Sequence, residues 1–212
     1  MSGDVTVESI HLNDLEHRLP VLAECRTDII RAFTVMRDAY KADRKVLLCG
    51  NGGSAADADH WAGELLKGFR KKRALSTENK AKLPFHLAEH LQNALAAIPL
   101  TGFSAFSSAF ANDVARELTF AQLVWGLGNA GDVFIGISTT GNASNVCAAA
   151  QTAHARGMFT IALTGDNGGA LKPLCDLAIC APAKETYLIQ EYHLPIYHCL
   201  STMLEEELFP YS

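Results

Sequence analysis

The stretch that decides the fold is KVLLCGNGGSAADADHWAGELL, residues 45–66. It opens with a continuous apolar run, passes through a glycine-rich polar turn and continues into a segment with helical spacing. A continuous apolar run is typical of a strand that is buried on both faces, as in a parallel sheet. The stretch therefore predicts a strand–loop–helix unit whose polar loop lies at the carboxyl end of a strand.

Further apolar runs repeat this pattern along the chain, at 97–102, 132–138, 160–165 and 177–182. Helical segments are predicted between and after them, at 54–69, 79–96, 110–128, 143–156 and 186–207. Strands that alternate with helices indicate a parallel sheet with right-handed crossovers and helices on both faces. We therefore predict an α/β fold, a three-layer αβα sandwich around a five-stranded parallel sheet.

Residues 1–43 precede the sheet, and from about residue 7 onward they follow the pattern of amphipathic helices that Pro20 divides or kinks. Such helices pack either on the chain's own sheet or on a neighbouring subunit, and the sequence leaves both open. Neither a long repeat nor a low-complexity linker follows. We therefore predict one domain over 1–212, with an N-terminal helical segment (1–43) and an α/β core (44–212).

The composition indicates a globular protein, with 49% hydrophobic and 19% charged residues in 212. The net charge of −5 argues against nucleic acid as the main partner. The basic run KGFRKKR (67–73) is the exception, and a solvated helix end is a simpler interpretation of it than a binding patch.

The same sequence argues against a membrane protein, because no apolar run reaches about 18 residues and the N-terminus is too polar for a signal peptide. Its six cysteines form no CxxC pair and lie in apolar contexts, which favours reduced, buried thiols in a reducing compartment. A cytoplasmic protein is expected.

The first polar loop, GNGGSAAD (50–57), contains three glycines that let its backbone approach a ligand closely. Ser54 is predicted to cap the following helix, with Asp57 completing a capping-box-like pattern, and such a helix start presents free amides to an anion. The loop is not a Walker loop, which requires a lysine before its serine or threonine, and it does not match GxGxxG.

The connection at 71–99 is polar at its start and helical afterwards. Ser76 and Thr77 suit an N-cap ahead of Glu78. The stretch is either a lid beside the first loop or an ordinary connection, and the latter is the simpler interpretation.

The second polar loop, GISTTGNASN (136–145), offers the hydroxyls of Ser138, Thr139 and Thr140 in a row. A helix predicted from about Ala143 adds backbone amides, so the hydroxyls and the helix start together form a phosphate cradle without a lysine. An ordinary capped helix start fits the same residues, and the pattern leaves both interpretations open.

Two histidine-containing segments suggest chemistry. His60 and Glu64 stand at i and i+4, so they share one helix face and suit either a metal or an acid/base pair, although an exposed pair is the simpler interpretation. Gln190 and His198 are eight residues apart, about 80° off a common stripe.

Pro195 lies between Gln190 and His198 and is expected to kink their helix. The kink would either bring the two side chains closer together or separate them. His193 competes with His198 for any role in that region.

Together the motifs CGNGGSAADADHWAGEL, ANDV, GISTTGN, TIALTGDNGG and IQEYH resemble the sugar isomerase (SIS) domain family over nearly the whole chain. The similarity is greatest to members that isomerise sedoheptulose 7-phosphate. It implies a flavodoxin-like SIS fold and a phosphosugar aldose–ketose isomerase that acts through an enediol and supplies D-glycero-D-manno-heptose 7-phosphate for lipopolysaccharide. The alternative is a non-catalytic SIS protein that binds a replication initiator or senses a sugar phosphate.

The resemblance also implies roles for individual residues. Glu64 and His198 would be the acid/base residues, with His198 preferred to His193. A zinc ion would be held by His60, Glu64, Gln190 and His198. Substrate contacts would come from Asn51, Gly52, Gly53, Ser54, Glu64, Asn112, Asp113, Ser138, Thr139, Thr140, Ser144 and Gln190. Members of the family are typically homotetramers with active sites at subunit interfaces.

The sequence departs from the family pattern at three positions, and its 71–99 stretch is longer than usual. Ala143 stands where a serine is usual, so Ser144 is expected to supply a phosphate hydrogen bond. Tyr187 replaces an acidic residue ahead of the glutamine. Lys67 or Arg70 is expected to substitute for the usual arginine after the glutamate.

Overall fold

Five parallel strands form the centre of the computed structural model, which describes residues 7–210. The strands are β1 (Val46–Cys49), β2 (Ala97–Pro99), β3 (Val133–Ser138), β4 (Phe159–Thr164) and β5 (Leu177–Cys180). They are arranged in the order β2-β1-β3-β4-β5, and every neighbouring pair is parallel. The predicted α/β class and five-stranded parallel sheet are therefore confirmed.

One face of the sheet is covered by four helices: α1 (Val7–Arg18), α2 (Arg26–Lys41), α3 (Gly53–Leu66) and the long α9 (Thr186–Leu208). A 3-10 turn at Pro20–Cys25 separates α1 from α2, as Pro20 predicted. Leu15 of α1 and Phe33 of α2 share one buried cluster with Leu48 of β1 and Leu200 of α9. The N-terminal helices thus pack on the chain's own sheet and on α9, one of the two arrangements that the sequence left open.

The opposite face is covered by α7 (Thr119–Leu127) and α8 (Ser144–Ala155). Val124 and Val146 of these helices share a second buried cluster with Leu47 of β1. Leu47 and Leu48 therefore point to opposite faces of one strand, and both are buried. This two-sided burial explains why the strand is a continuous apolar run rather than an alternating one.

The predicted helix at 79–96 is wrong in its extent. The stretch holds two short helices, α4 (Thr77–Ala81) and α5 (Phe85–His90), because Pro84 adopts an extended conformation between them. The predicted cap ahead of α4 is confirmed, since Ser76 Oγ accepts a hydrogen bond from the Asn79 amide at 3.2 Å.

The stretch 110–128 is not one helix either. It begins within α6 (Ser104–Phe110), passes through a π-helical turn at Ala111–Ala115 and a 3-10 turn at Arg116–Leu118, and becomes regular again in α7. Ala115 is the break, since its φ of −163° and ψ of 124° are extended. No proline or glycine marks this position in the sequence.

The six cysteines all lie within residues 7–210, and none of them forms a disulfide. Cys25, Cys49 and Cys199 are buried, and burial raises the pKa of Cys25 and of Cys199 to about 12. These thiols therefore stay protonated and act as small apolar side chains.

Among the helices of residues 7–210, none has the length and apolar character needed to cross a membrane.

Candidate active site

The two polar loops meet at the carboxyl edge of the sheet because β1 and β3 are neighbours. Asn51 of the first loop and Asn145 of α8 exchange two side-chain hydrogen bonds, each 2.9 Å long. Asn145 Oδ1 also accepts a hydrogen bond from the Val146 amide at 3.0 Å. The first loop is thereby tied to the first turn of α8.

The first loop reaches α3 through two glycines. Gly52 is the N-cap residue with φ of +55°, and Gly53 is the first helical residue. A β-carbon at Gly53 would collide with Nε2 of Gln190, so glycine lets the Gln190 amide lie against the helix start. The predicted Ser54 cap is wrong, because Ser54 is the second residue of the helix and is buried there.

The second loop carries its hydroxyls from the end of β3 toward α8. Ser138 is buried as the last residue of β3, Thr139 is half-buried and Thr140 is exposed. Thr140 Oγ1 accepts a hydrogen bond from the Asn142 amide at 3.2 Å, within a turn that Gly141 makes at φ of +66°. The row of hydroxyls thus runs from the core of the sheet to the surface.

The start of α8 opens onto a cleft of about 520 Å³. The N-cap residue Ala143 makes no side-chain capping bond. The cleft is lined by Asn51, Arg116, Glu117, Asn142, Ala143, Ser144 and Asn145. Polar side chains of both loops and the N-terminus of α8 thus face one space, an arrangement that suits an anion.

A second cluster lies where α3 packs beside α9. His60 Nε2 is 3.2 Å from Glu64 Oε1, and Lys67 Nζ is 3.3 Å from Glu64 Oε2. From α9, the Tyr197 hydroxyl lies 2.9 Å from His60 Nδ1, and the ring of His198 lies 5.2 Å from that of His60 between centroids. The histidine–glutamate pair is therefore part of a larger cluster formed across two helices.

His198 is half-buried between the rings of His60 and Phe69. Burial lowers its pKa, the nearby His60 lowers it further, and Glu64 opposes the shift. Within residues 7–210 its Nε2 is buried without a hydrogen-bond partner. A neutral imidazole with an unused nitrogen suits either proton transfer or the binding of a cation.

His193 occupies a different environment. It is fully buried, and its Nε2 lies 3.1 Å from the carbonyl oxygen of Thr164, at the end of β4. Burial lowers its pKa to about 4. His193 thus belongs to the packing between α9 and the sheet, whereas His198 lies beside His60. The chemical role assigned to His198 stays a prediction.

Known proteins share this architecture. Models of the SIS domain match residues 108–204 and 12–82. The chain is 40% identical to a phosphoheptose isomerase of a Nitratiruptor species, over 94% of this chain and 98% of that protein. This chain belongs to the phosphoheptose isomerase family of SIS-domain proteins.

Solved structures of phosphoheptose isomerases agree with this assignment. The phosphoheptose isomerase GmhA from Neisseria gonorrhoeae superposes with a TM-score of 0.72 at 31% identity, covering 95% of this chain and 100% of that one. A phosphoheptose isomerase from Francisella tularensis gives 0.74 at 29% identity, covering 97% of this chain and 100% of that one. The predicted SIS fold is thereby confirmed.

Other residues predicted for a phosphoheptose isomerase site are less tightly gathered. Gln190 lies against Gly53. On α9, Gln190 is eight residues before His198, a separation of about 12 Å along the helix axis. Asn112 and Asp113 are exposed in the π-helical turn, where Asn112 Nδ2 donates to Asp113 Oδ1 at 2.9 Å. In the described part of the chain, no three histidine, cysteine, aspartate or glutamate side chains converge as a ready-made metal site.

Sequence reasoning missed a buried ion pair behind the site. Arg73 Nε donates to Glu205 Oε1 at 2.8 Å, and the same guanidinium donates to two carbonyl oxygens at the end of α3, those of Glu64 and Leu65. Glu205 also accepts hydrogen bonds from three backbone amides, those of Phe69, Arg70 and Lys71. The interpretation of 67–73 as a solvated helix end is wrong for Arg73, which is 2% exposed.

Proposed function

We propose that this chain is a phosphoheptose isomerase that interconverts sedoheptulose 7-phosphate and D-glycero-D-manno-heptose 7-phosphate. The observation that carries the proposal is the gathering of Glu64 and His198 around His60. Relatives at 40% and 31% identity that are named phosphoheptose isomerases support an enzyme. They do not favour the alternative of a non-catalytic binding or sensor protein.

The substrate phosphate would bind at the start of α8. The exposed Thr140 and Ser144, the backbone amides at the N-terminus of α8 and the helix dipole all favour an anion there. Ser138 and Thr139 complete the cradle from the end of β3. Anchoring the remote end of the sugar in this way contributes binding energy that orients its reactive carbons.

The proton transfers would fall to Glu64 and His198. The Glu64 carboxylate removes a proton from the carbon beside the carbonyl, which gives an enediol, and the proton returns to the neighbouring carbon. The neutral His198 moves a proton between the two sugar oxygens. Lys67, one of the two residues expected to substitute for the family's arginine, places its ammonium nitrogen 3.3 Å from Glu64 Oε2. Asn51 and Gly52 of the first loop, with Gly53 and Ser54 at the start of α3, would contact the sugar between the phosphate and these two residues.

A zinc ion is the proposed cofactor. His60, Glu64 and His198 fit it best, because His60 Nε2 and Glu64 Oε1 are 3.2 Å apart and His198 Nε2 is buried with no hydrogen-bond partner within residues 7–210. Gln190 is the fourth proposed ligand. Bound zinc would act as a Lewis acid that stabilises negative charge on the substrate oxygens.

We further propose a cytoplasmic homotetramer with active sites at subunit interfaces. Asn112 and Asp113 support this arrangement, because both are exposed, and the side-chain hydrogen bond that the structure records for them is the one between them. Their proposed substrate contacts would then be made at a site that a neighbouring chain completes.

The test is incubation of the purified chain with sedoheptulose 7-phosphate, with and without a chelator, followed by identification of the product by NMR. Formation of the heptose 7-phosphate, lost on chelation and restored by zinc, is the expected result. Binding of the ketose without any product would refute the isomerase. Turnover that survives exhaustive chelation would refute the zinc site and leave the isomerase standing.

A further inference from the structure

Tyr197 connects His60 to a half-buried carboxylate. Its hydroxyl lies 2.9 Å from His60 Nδ1 and 3.4 Å from Asp57 Oδ1. Tyr197 itself is fully buried and stacks on Trp61, with ring centroids 5.5 Å apart and planes 18° apart. The hydroxyl is therefore held at one point between two polar partners.

The direction of these hydrogen bonds follows from the chemistry of the carboxylate. An ionised Asp57 only accepts, and its other oxygen, Oδ2, is buried without a partner in the described residues. Because a half-buried carboxylate with one oxygen already unpartnered is costly without any donor, the Tyr197 hydroxyl donates to Asp57. The oxygen of Tyr197 then serves as the acceptor for the ring of His60, whose Nδ1 carries the proton.

A consequence appears at the other ring nitrogen of His60. With the proton on Nδ1, Nε2 presents an electron pair toward Glu64 Oε1, 3.2 Å away. Two electron pairs that face each other at this distance repel unless a proton or a cation lies between them. The opposite tautomer would direct an Nε2–H at Glu64 and remove that electron pair.

We infer that Tyr197 and Asp57 are positioning residues that hold His60 in the tautomer whose Nε2 is free to bind a cation. The inference rests on the proposed zinc site for its purpose, but the tautomer itself is a property of the metal-free chain. A hydrogen-bond partner on the non-ligating nitrogen is how proteins commonly orient a histidine ligand, and losing it typically weakens metal binding about 10–100-fold.

The experiment compares Tyr197→Phe with the unaltered chain, both stripped of metal and measured at the same alkaline pH. Phenylalanine keeps the stack on Trp61 and removes only the hydroxyl. Long-range proton–nitrogen NMR of His60, assigned with a His60→Gln sample, should show Nδ1–H in the unaltered chain and a shift toward Nε2–H in Tyr197→Phe. Zinc affinity, measured by competition with a chromophoric chelator, should fall about 10–100-fold in the variant.

Tyr192→Phe is the matched control, because Tyr192 lies on the same helix and the structure records no hydrogen bond of its hydroxyl within residues 7–210. If Tyr197→Phe does not fold, Asp57→Leu replaces it, since the tyrosine hydroxyl then loses its acceptor and donates to His60 Nδ1 instead. Asp59→Leu is the control for that variant. Asp59 lies on the same helix, but its carboxylate accepts a hydrogen bond from Thr101 rather than from Tyr197.

Each outcome decides the matter. Unchanged nitrogen shifts in the folded Tyr197→Phe or Asp57→Leu chain would overturn the inference, as would an Nε2–H tautomer in the unaltered chain. If the unaltered chain binds no zinc, the proposed cofactor fails, while the nitrogen shifts still decide the tautomer. Isomerase activity enters neither measurement, so failure of the proposed function remains distinguishable.

Discussion

Arg73 and Glu205 form an ion pair at 2.8 Å whose two side chains are 0% and 1% exposed. Arg73 satisfies the last carbonyl groups of α3, and Glu205 of α9 satisfies the backbone amide of Phe69. Phe69 in turn packs on the ring of His198, with centroids 5.1 Å apart. The ion pair therefore links the helix that carries Glu64 to the helix that carries His198. Removing one partner leaves the other charge buried without its counter-charge.

The first prediction concerns the stability that this ion pair contributes. Arg73→Met should lower the free energy of unfolding by about 3–5 kcal/mol, because Glu205 then stays charged in the interior without its guanidinium. Urea unfolding followed by circular dichroism measures the loss. Lys41→Met is the control, since Lys41 forms an ion pair of the same 2.8 Å length with Glu207 while remaining 53% exposed.

For that exposed pair we expect a loss of no more than about 1 kcal/mol. Equal losses in Arg73→Met and Lys41→Met would contradict the special role of the buried pair. The double variant Arg73→Met with Glu205→Leu removes both charges but should recover only part of the lost stability. The carbonyl groups at the end of α3 and the amide of Phe69 also lose their hydrogen-bond partners in it.

The second prediction tests Glu64 as the proton-transferring residue. Glu64→Gln keeps the size and hydrogen-bonding capacity of the side chain but removes its basicity, so kcat should fall about 10²–10⁴-fold. Binding of the sugar phosphate, measured by calorimetry, should remain within a few-fold of the unaltered chain. Glu78→Gln, at an exposed position of α4, is the control. Activity close to that of the control would exclude the role of Glu64.

The fold was predictable because its signals are local. The run 132–138 is apolar at most positions, and the structure buries all six residues of β3. The break between α4 and α5 also had a local signal, Pro84. The helical spacing of the residues around it nevertheless favoured one continuous helix in the prediction. The break at Ala115 had none, since an extended alanine between helical turns is imposed by tertiary packing rather than by its own propensity.

The candidate site was only half predictable from the sequence, for a physical reason. His60 and Glu64 are four residues apart, so helical geometry alone places them together. The Tyr197 hydroxyl that bonds to His60 comes from 137 residues away, and nothing in the local pattern around either residue indicates the contact. Arg73 lies in a basic run, where its charged neighbours favour a solvated position.

The third prediction concerns the phosphate cradle at α8. Ser144 is exposed in the first turn of the helix, and we propose that it replaces the hydroxyl that Ala143 lacks. A hydrogen bond to a charged group contributes about 1.5–3 kcal/mol, so Ser144→Ala should raise KM about tenfold or more with little change in kcat. Ser108→Ala, at an exposed position of α6, is the control. A fall in kcat at constant KM would place Ser144 outside phosphate binding.

The fourth prediction is a loss of stability in mild acid that His193 causes. Its pKa is about 4 in the folded chain, against 6.5 for an unperturbed histidine, because burial disfavours the charged ring. Between pH 6.5 and about 4, His193 is therefore protonated in the unfolded chain but stays neutral in the folded chain. The stability due to this residue is complete above pH 6.5 and is lost as the pH falls toward 4. The loss is on the order of 3 kcal/mol.

Urea unfolding at a series of pH values measures how the free energy of unfolding falls with pH. The His193→Gln variant provides the comparison. Glutamine can keep the hydrogen bond to the Thr164 carbonyl through its Nε2, but it does not titrate. The variant should therefore lose less stability than the unaltered chain as the pH falls from 6.5 to about 4, even if it is less stable at neutral pH. If both proteins lose the same free energy of unfolding as the pH falls, other groups, such as the carboxylates, account for the acid sensitivity.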